Sequence, residues 1–323
     1  MVLKQMHSVL YRDGVAAGRD FALEQLPDPH DGEVLWIDVE QSDEQTIRAL
    51  GSRFGLHPLA IQSALGSPGR ARLTRFDDHF LLLVYFTRID DHGVLHQLPL
   101  FALLNQHLMI TVRPRHAPNL DEAVQQWESL PDILNNALAT LCAILDTAVD
   151  SHFDTIQDLD ERVSTLEADV FGEQPNIRQL QQRCFQLHKQ VTHLRRLTMP
   201  LRDVVSAVLR RDPAGASSPV TPYLQDVYDH CLRVADWTDN LHDTLSTLFD
   251  SILNAQSNQL NVVMKKVTSW AAIIAVPTAI SGVFGMNVEY PGFGTVAGFW
   301  VSLGLMAAST ALLYWLFKRS DWL

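Results

Sequence analysis

Asp229, Asp236, Asp243 and Asp250 follow one another at intervals of seven residues. Seven residues close two turns of helix, so the four carboxylates fall on one face. Asp226, Arg233, Asn240, Thr247, Asn254, Ser257 and Asn261 fill the same 3–4 spacing between and beyond them. Continued without a break, the stripe becomes Met264, Thr268, Ala271, Ala275, Thr278, Gly282 and Gly285, mostly small or hydroxyl-bearing in a segment otherwise rich in Ile, Val and Phe. A row of carboxylates concentrates cations. Beyond it the stripe offers only hydroxyl and backbone oxygens, and Asn287 adds a neutral amide oxygen. Such a lining suits a hydrated hard cation, and Mg²⁺ is the most reluctant to part with its water, whereas zinc held directly prefers nitrogen or sulfur. Each part also has a plainer explanation: a solvated acidic face, small-residue helix packing, and an Asn at a helix C-terminus. The shared phase favours a helix that helps to wall a water-filled path.

The elements that must position this stripe follow from where charge is missing. Val267–Met286 is a run of 20 residues without a charge, and Val296–Phe317 is another of 22. At 1.5 Å per residue each spans about 30 Å, the thickness of a bilayer core. Lys265 and Lys266 precede the first run and Lys318 and Arg319 follow the second, while the connecting loop, residues 287–295, carries Glu289 as its one charge. The positive-inside rule then places both termini in the cytoplasm and the loop outside, with Trp270, Trp300, Tyr314, Trp315 and Trp322 near the interfaces. Opposite the polar stripe, Leu224, Val227, Cys231, Val234, Thr238, Leu241, Leu245, Leu248, Ile252 and Ala255 form an apolar seam. No helix breaker intervenes between Pro222 and Pro277, which predicts one helix of roughly 65 residues, about 100 Å long, entering the membrane. Two spans cannot enclose a path alone, so a homo-oligomer with this helix around its axis is required.

Ahead of that helix, Val34–Val39, Phe80–Phe86, Leu98–Leu104 and Leu108–Val112 read as strands, and Asp43–Phe54 and Pro58–Leu65 as helices. Helical patterns follow over 132–171 and 176–212, the second with a kink or break expected at Pro200, and PAGASSPVTP (213–222) is a connector. The expected organisation is an α/β cytosolic domain over 1–120, a helical hairpin over 121–221, the cytosolic stalk over 222–266, and a transmembrane hairpin with a short tail over 267–323. The first span is 267–286, the outer loop 287–295 and the second span 296–317. The 323 residues carry 25 Lys and Arg against 37 Asp and Glu, a net charge of −12 that argues against a nucleic-acid partner. Cys142, Cys184 and Cys231 lie far apart with no C-x-x-C pair, as expected of reduced thiols.

Gly285-Met286-Asn287, at the end of the first of two C-terminal spans, resembles the signature of the CorA family of divalent-cation channels, which includes the ZntB zinc transporters. YLQDVYDH (223–230), SNQLNVVMK (257–265), residues 145–172 and 194–211, and the ending KRSDWL are similar to family sequence from about residue 75 onwards. The resemblance implies an α+β membrane protein: a homopentameric funnel with an α/β cytosolic domain and a stalk helix that becomes the pore-lining span. Asn287 would form the selectivity ring with Gly285 and Met286, and Thr278, Ala275, Met264 and Asn261 would face the pore. The resemblance further implies that Mg²⁺ held between cytosolic domains closes the channel, with Asp226 as the matching acid, Asp250 lower on the same face, and a partner acid near Asp90 or Asp91. Mg²⁺ is then both cargo and regulator, Co²⁺ and Ni²⁺ are further cargo, and no other cofactor is implied. The common MPEL loop is replaced by Val288-Glu289-Tyr290-Pro291-Gly292-Phe293-Gly294, which leaves Glu289 to attract cations outside. The intact GMN is similar to the magnesium and cobalt branch, while the Gly-rich loop and KRSDWL are similar to the zinc branch, so a Zn²⁺ transporter, proton-coupled or not, is the alternative.

A remoter alternative is a scaffold anchored by two spans, with membrane lipid around it and protein partners for its helices. An enzyme is not expected, since G-x-x-x-x-G-K-[ST], H-E-x-x-H and G-x-S-x-G are all missing, and without the first of these ATP-driven pumping is not expected either. His188 and His193, five residues apart, suit separate surface positions, and Gly294-x-x-x-Gly298 carries a weak helix-packing signal.

Overall fold

The computed structural model describes residues 6–127, 137–172, 176–210, 219–287 and 291–323. The chain divides into two compact units, one of residues 1–173 and 182–247, the other of 174–181 and 248–323.

The first unit is built on seven strands, β1 (Met6–Arg12), β2 (Val15–Arg19), β3 (Glu33–Glu40), β4 (Arg72–Arg75), β5 (Phe80–Ile89), β6 (Leu95–Leu104) and β7 (Leu108–Arg113). They join in the order β2-β1-β3-β7-β6-β5-β4, with β3 and β7 parallel and the other neighbours antiparallel. Helices α1 (Glu44–Arg53) and α2 (Pro58–Leu65) cover one face, where Ile47, Leu50 and Ala60 meet Leu35, Ile37, Leu81 and Leu83. The other face, with Trp36, Leu82, Val84 and Phe86, packs on α4 (Ala137–Val170), α5 (Ile177–Leu209) and α6 (Thr221–Phe284). A strand covered on both sides is apolar at every position, which is why β5 reads as an unbroken FLLLVYF. The α/β layering and the four expected strands are present. β1 and β2, not expected from pattern, are joined by Asp13 and Gly14 at φ of 49° and 77°, an Asp-Gly hairpin turn. Helix α3 (Leu120–Trp127) was likewise not expected.

α5 runs through Pro200 without the expected break. Leu197, Leu201, Val204, Val205 and Val208 are buried on either side of the proline, and their packing outweighs one lost backbone hydrogen bond. α6 is a single helix of 64 residues, as the uninterrupted pattern requires. Its expected seam is buried from Leu224 to Ile252, whereas Asp226, Asp229, Asp236, Asp243 and Asp250 are all exposed. In the second unit, α6 beyond Val267 and α7 (Val296–Arg319) are both long and apolar enough to cross a membrane.

His152 on α4 is 1% exposed, and its Nε2 donates to the Tyr85 carbonyl at 3.0 Å while Nδ1 has no partner among the described residues. Burial holds this imidazole down to about 4, with the Tyr85 carbonyl opposing. A folded value below the unfolded one means that, under pH 6.5, the unfolded chain takes up a proton the folded chain refuses. Stability therefore falls between pH 6.5 and 4, by about 3 kcal/mol for this group. Denaturant unfolding at pH 7 and pH 4.5 should show a clearly smaller acid loss in His152→Gln than in the wild type. An identical loss in the two would remove His152 as its source.

Candidate functional site

α6 presents two opposed faces in the second unit. Beyond Val267 its buried residues are Ser269 and Ile273, and Ile273 with Trp270 borders a groove whose other wall is Leu303, Met306, Ala307 and Tyr314 of α7. Thr268, Ala271, Ala275, Thr278, Gly282 and Gly285 are all exposed. Residues 271 and 275 stand about 200° round the helix on either side of 273, which sets the small-residue stripe opposite α7. Thr278 donates its hydroxyl proton to the Ile274 carbonyl at 2.8 Å, which leaves its oxygen lone pairs to accept. Asn261, Met264 and Asp250 on the same helix are exposed as well.

The helix ends at Phe284, two residues before the expected limit of the span. The Gly285 N–H donates to the Ser281 carbonyl at 2.9 Å and the Met286 N–H to Val283 at 3.3 Å, a closing turn that delivers Asn287 just past the helix, exposed. Glu289 lies outside the described residues. On the far side of the loop, the Thr295 Oγ1 donates to the Gly292 carbonyl at 2.8 Å and accepts from the Gly298 N–H at 3.1 Å, capping α7. A Cβ at Gly298 would strike the Gly292 carbonyl oxygen, so this glycine seats the loop against the helix start. Gly294 is in the turn at φ of 70°, outside any helix, so the expected G-x-x-x-G contact between helices is not formed by this pair.

A cluster that pattern reading missed lies in the first unit. Asp146 and Asp150 are one turn apart on α4, and Asp226 and His230 one turn apart on α6. Where the helices meet, ligand atoms of Asp146, Asp150 and His230 all lie within 4.8 Å of one another. His230 Nε2 stands 3.6 Å from Asp226 Oδ1, its Nδ1 is buried without a partner, and Phe153 stands edge-on to the ring at 5.9 Å. Burial first, then Asp150, raises the Asp146 carboxyl above its usual range, His230 opposing and Asp226 adding to it; burial first raises that of Asp150, with His230 opposing and Asp154 adding. Burial, then Asp146 and Asp226, also raises the Cys142 thiol. By contrast, the heptad aspartates of α6 are about 10.5 Å apart, beyond the screening length at physiological salt, so their mutual repulsion is small. One half-buried and one exposed carboxylate, with an imidazole nitrogen that has no partner among the described residues, are a donor set that fits a divalent cation. The two i, i+4 pairs, D-x-x-x-D and D-x-x-x-H, were visible in the chain; how α4 crosses α6 was not.

Asp90 opens the turn between β5 and β6. Its Oδ1 accepts from the N–H groups of His92 and Val94 at 3.0 and 2.9 Å, and Oδ2 pairs with His96 Nε2 at 2.8 Å. The Val94 N–H, then His96, lower this carboxyl to about 2. The turn itself is held by Gln190 of α5, which donates to the Gly93 carbonyl at 2.6 Å. Asp90 is thus committed to its own hairpin, and Asp91 beside it is exposed.

The family model of CorA-like Mg²⁺ transporter proteins matches residues 31–319. The cobalt/magnesium transport protein CorA of Thermotoga maritima is 29% identical over 293 residues, 89% of this chain and 83% of that protein. The complete CorA magnesium transporter structure from Methanocaldococcus jannaschii aligns over 100% of both chains with a TM-score of 0.80 and 19% identity. The ZntB cytoplasmic domain from Vibrio parahaemolyticus aligns with 78% of this chain and 98% of its own, with a TM-score of 0.61 and 13% identity. The two structural likenesses speak to fold alone.

The Asp146 cluster gives a direct expectation. Added Mg²⁺ or Co²⁺ should raise the unfolding midpoint of the wild type, a ligand at a hundred times its dissociation constant being worth about 2.7 kcal/mol. Asp146→Asn/Asp150→Asn should lose most of that rise while its metal-free midpoint increases, because the repulsion is gone. Equal metal-induced shifts in the two proteins would exclude the cluster as a cation site.

Proposed function

This chain belongs to the CorA family, and we propose that it is a homopentameric channel passing hydrated Mg²⁺, and with it Co²⁺ and Ni²⁺, down their electrochemical gradients. The observation that carries the reading is the position of the small-residue stripe of α6, exposed and opposite the side that meets α7. Five such helices around an axis turn Thr278, Ala275, Ala271 and Thr268 toward one another, with α7 outside and in contact with lipid. Asn287, delivered just past the end of α6, closes the outer end with a ring of amide oxygens, flanked by Gly285 and Met286. A ring of neutral oxygens accepts hydrogen bonds from a hydrated ion without stripping it, which selects by size and hydration. Asn261 and Met264 continue the path on the cytoplasmic side, and Glu289 attracts cations to the entrance.

The protein spans the cell membrane twice, the inner membrane where there are two, with both termini in the cytoplasm, a topology that Lys265, Lys266, Lys318 and Arg319 support. It performs no covalent chemistry. Its regulation rests in the soluble unit, where Asp146, Asp150, Asp226 and His230 hold Mg²⁺ and Asp91, in preference to Asp90, is the acid that faces the neighbouring subunit; Asp250 adds negative charge on the same helix. A divalent ion there supplies the charge that offsets carboxylate repulsion, favouring the closed arrangement of subunits. The imidazole of His230 favours the second reading, zinc transport, because nitrogen suits Zn²⁺ better than Mg²⁺.

Purified protein in liposomes should pass Mg²⁺ down its gradient, and Asn287→Ala should cut that flux at least tenfold with assembly unchanged by size-exclusion chromatography. Wild-type flux in the variant would sink the role given to Asn287.

A further inference from the structure

A second pair of metal-ligating side chains is brought together in the soluble unit. His188 on α5 and His242 on α6 have ring centroids 4.7 Å apart, with the ring planes inclined at 52°. Both residues are half-buried where the two helices pack. Among the described residues neither ring has a hydrogen bond to a protein group, and Asp243 Oδ1 stands at ion-pair distance, 3.6 Å, from His242 Nδ1. His193, in contrast, has its Nε2 3.1 Å from Gln97 Oε1. Burial, then His242, hold the His188 imidazole below its ordinary value. Cys184, one turn earlier on α5, has its Sγ 3.6 Å from the Leu245 carbonyl and is engaged there.

The two imidazoles stand side by side on neighbouring helices, close enough to share one partner. They suit a shared ion. With a metal–nitrogen bond of 2.0–2.1 Å, a ring centre lies about 3.2 Å from the metal, so rings 4.7 Å apart subtend about 95°, between octahedral and tetrahedral values. Imidazole selects Zn²⁺, Co²⁺, Ni²⁺ or Cu²⁺, whereas Mg²⁺ demands oxygen. We propose that His188 and His242 form a two-imidazole site for a borderline transition cation, clasping α5 to α6, with water completing the coordination. The site is separate from the carboxylate cluster of Asp146, Asp150 and His230.

The test uses the full-length protein in detergent with excess Mg²⁺, which fills the oxygen-rich sites, and Zn²⁺ or Ni²⁺ as the probe in equilibrium dialysis. The wild type should hold one more equivalent of probe metal per chain than His188→Gln or His242→Gln, and the double variant should lose no more than either single one. His188→Cys, which returns a soft ligand, should regain the equivalent, and His193→Gln should keep it. Metal-free unfolding midpoints within error of the wild type establish that the glutamine variants are folded. Equal stoichiometry in the wild type and both glutamine variants overturns the site, and so does loss of the equivalent in His193→Gln.

Discussion

Two solvation requirements meet in α6, and most of the molecule is arranged around satisfying both. From Leu224 to Ile252 the helix buries one apolar seam. At about 1.5–3 kcal/mol for each fully buried aliphatic side chain, the seam contributes far more than the exposed aspartates on the other side cost. Those aspartates are spaced widely enough for salt to screen them. Beyond Val267 the polar requirement changes form, because a charge in the bilayer core is expensive. The stripe there keeps its phase but shrinks to hydroxyls, methyls and glycines. The apolar side chains go to the rest of the helix surface, as Trp270, Ile274 and Val283 show by their exposure in the single chain.

The first unit has the opposite electrostatic character at one place. Asp146 and Asp150 stand one turn apart on α4, where α6 brings His230 beside them, and burial first, with neighbouring carboxylates adding, raises both carboxyls. Such an arrangement holds unfavourable charge that a bound cation would relieve. Asp90 is the reverse case. Its three hydrogen-bonding partners lower its carboxyl to about 2, so it is satisfied within the hairpin and has little to gain from a metal.

How far these features were legible in the amino-acid sequence depended on how local they are. β5, α2 and α6 were readable because burial on both faces, Pro58 at a helix start and an unbroken 3–4 seam each leave a mark within one segment. The hairpin of β1 and β2 was marked only by Asp13-Gly14 and passed unnoticed. Pro200 misled, because a local rule about backbone hydrogen bonds was overridden by packing from other elements. The stripe and Gly285-Met286-Asn287 are local and were found. Asp146 with His230, and His188 with His242, come from segments far apart in the chain, and no spacing within either segment reports how two helices cross.

The central claim is that the small-residue side of α6 faces ions. Cys142, Cys184 and Cys231 are all buried, so an introduced thiol can be read against a silent background. Thr278→Cys places that thiol on the stripe, and Val283→Cys places it on an exposed apolar face of the same helix. A charged, water-soluble methanethiosulfonate reagent should block Mg²⁺ flux through the Thr278→Cys protein and leave the Val283→Cys protein conducting. Equal block at both positions, or unimpeded flux after complete labelling of Thr278→Cys, would contradict an ion path along this stripe.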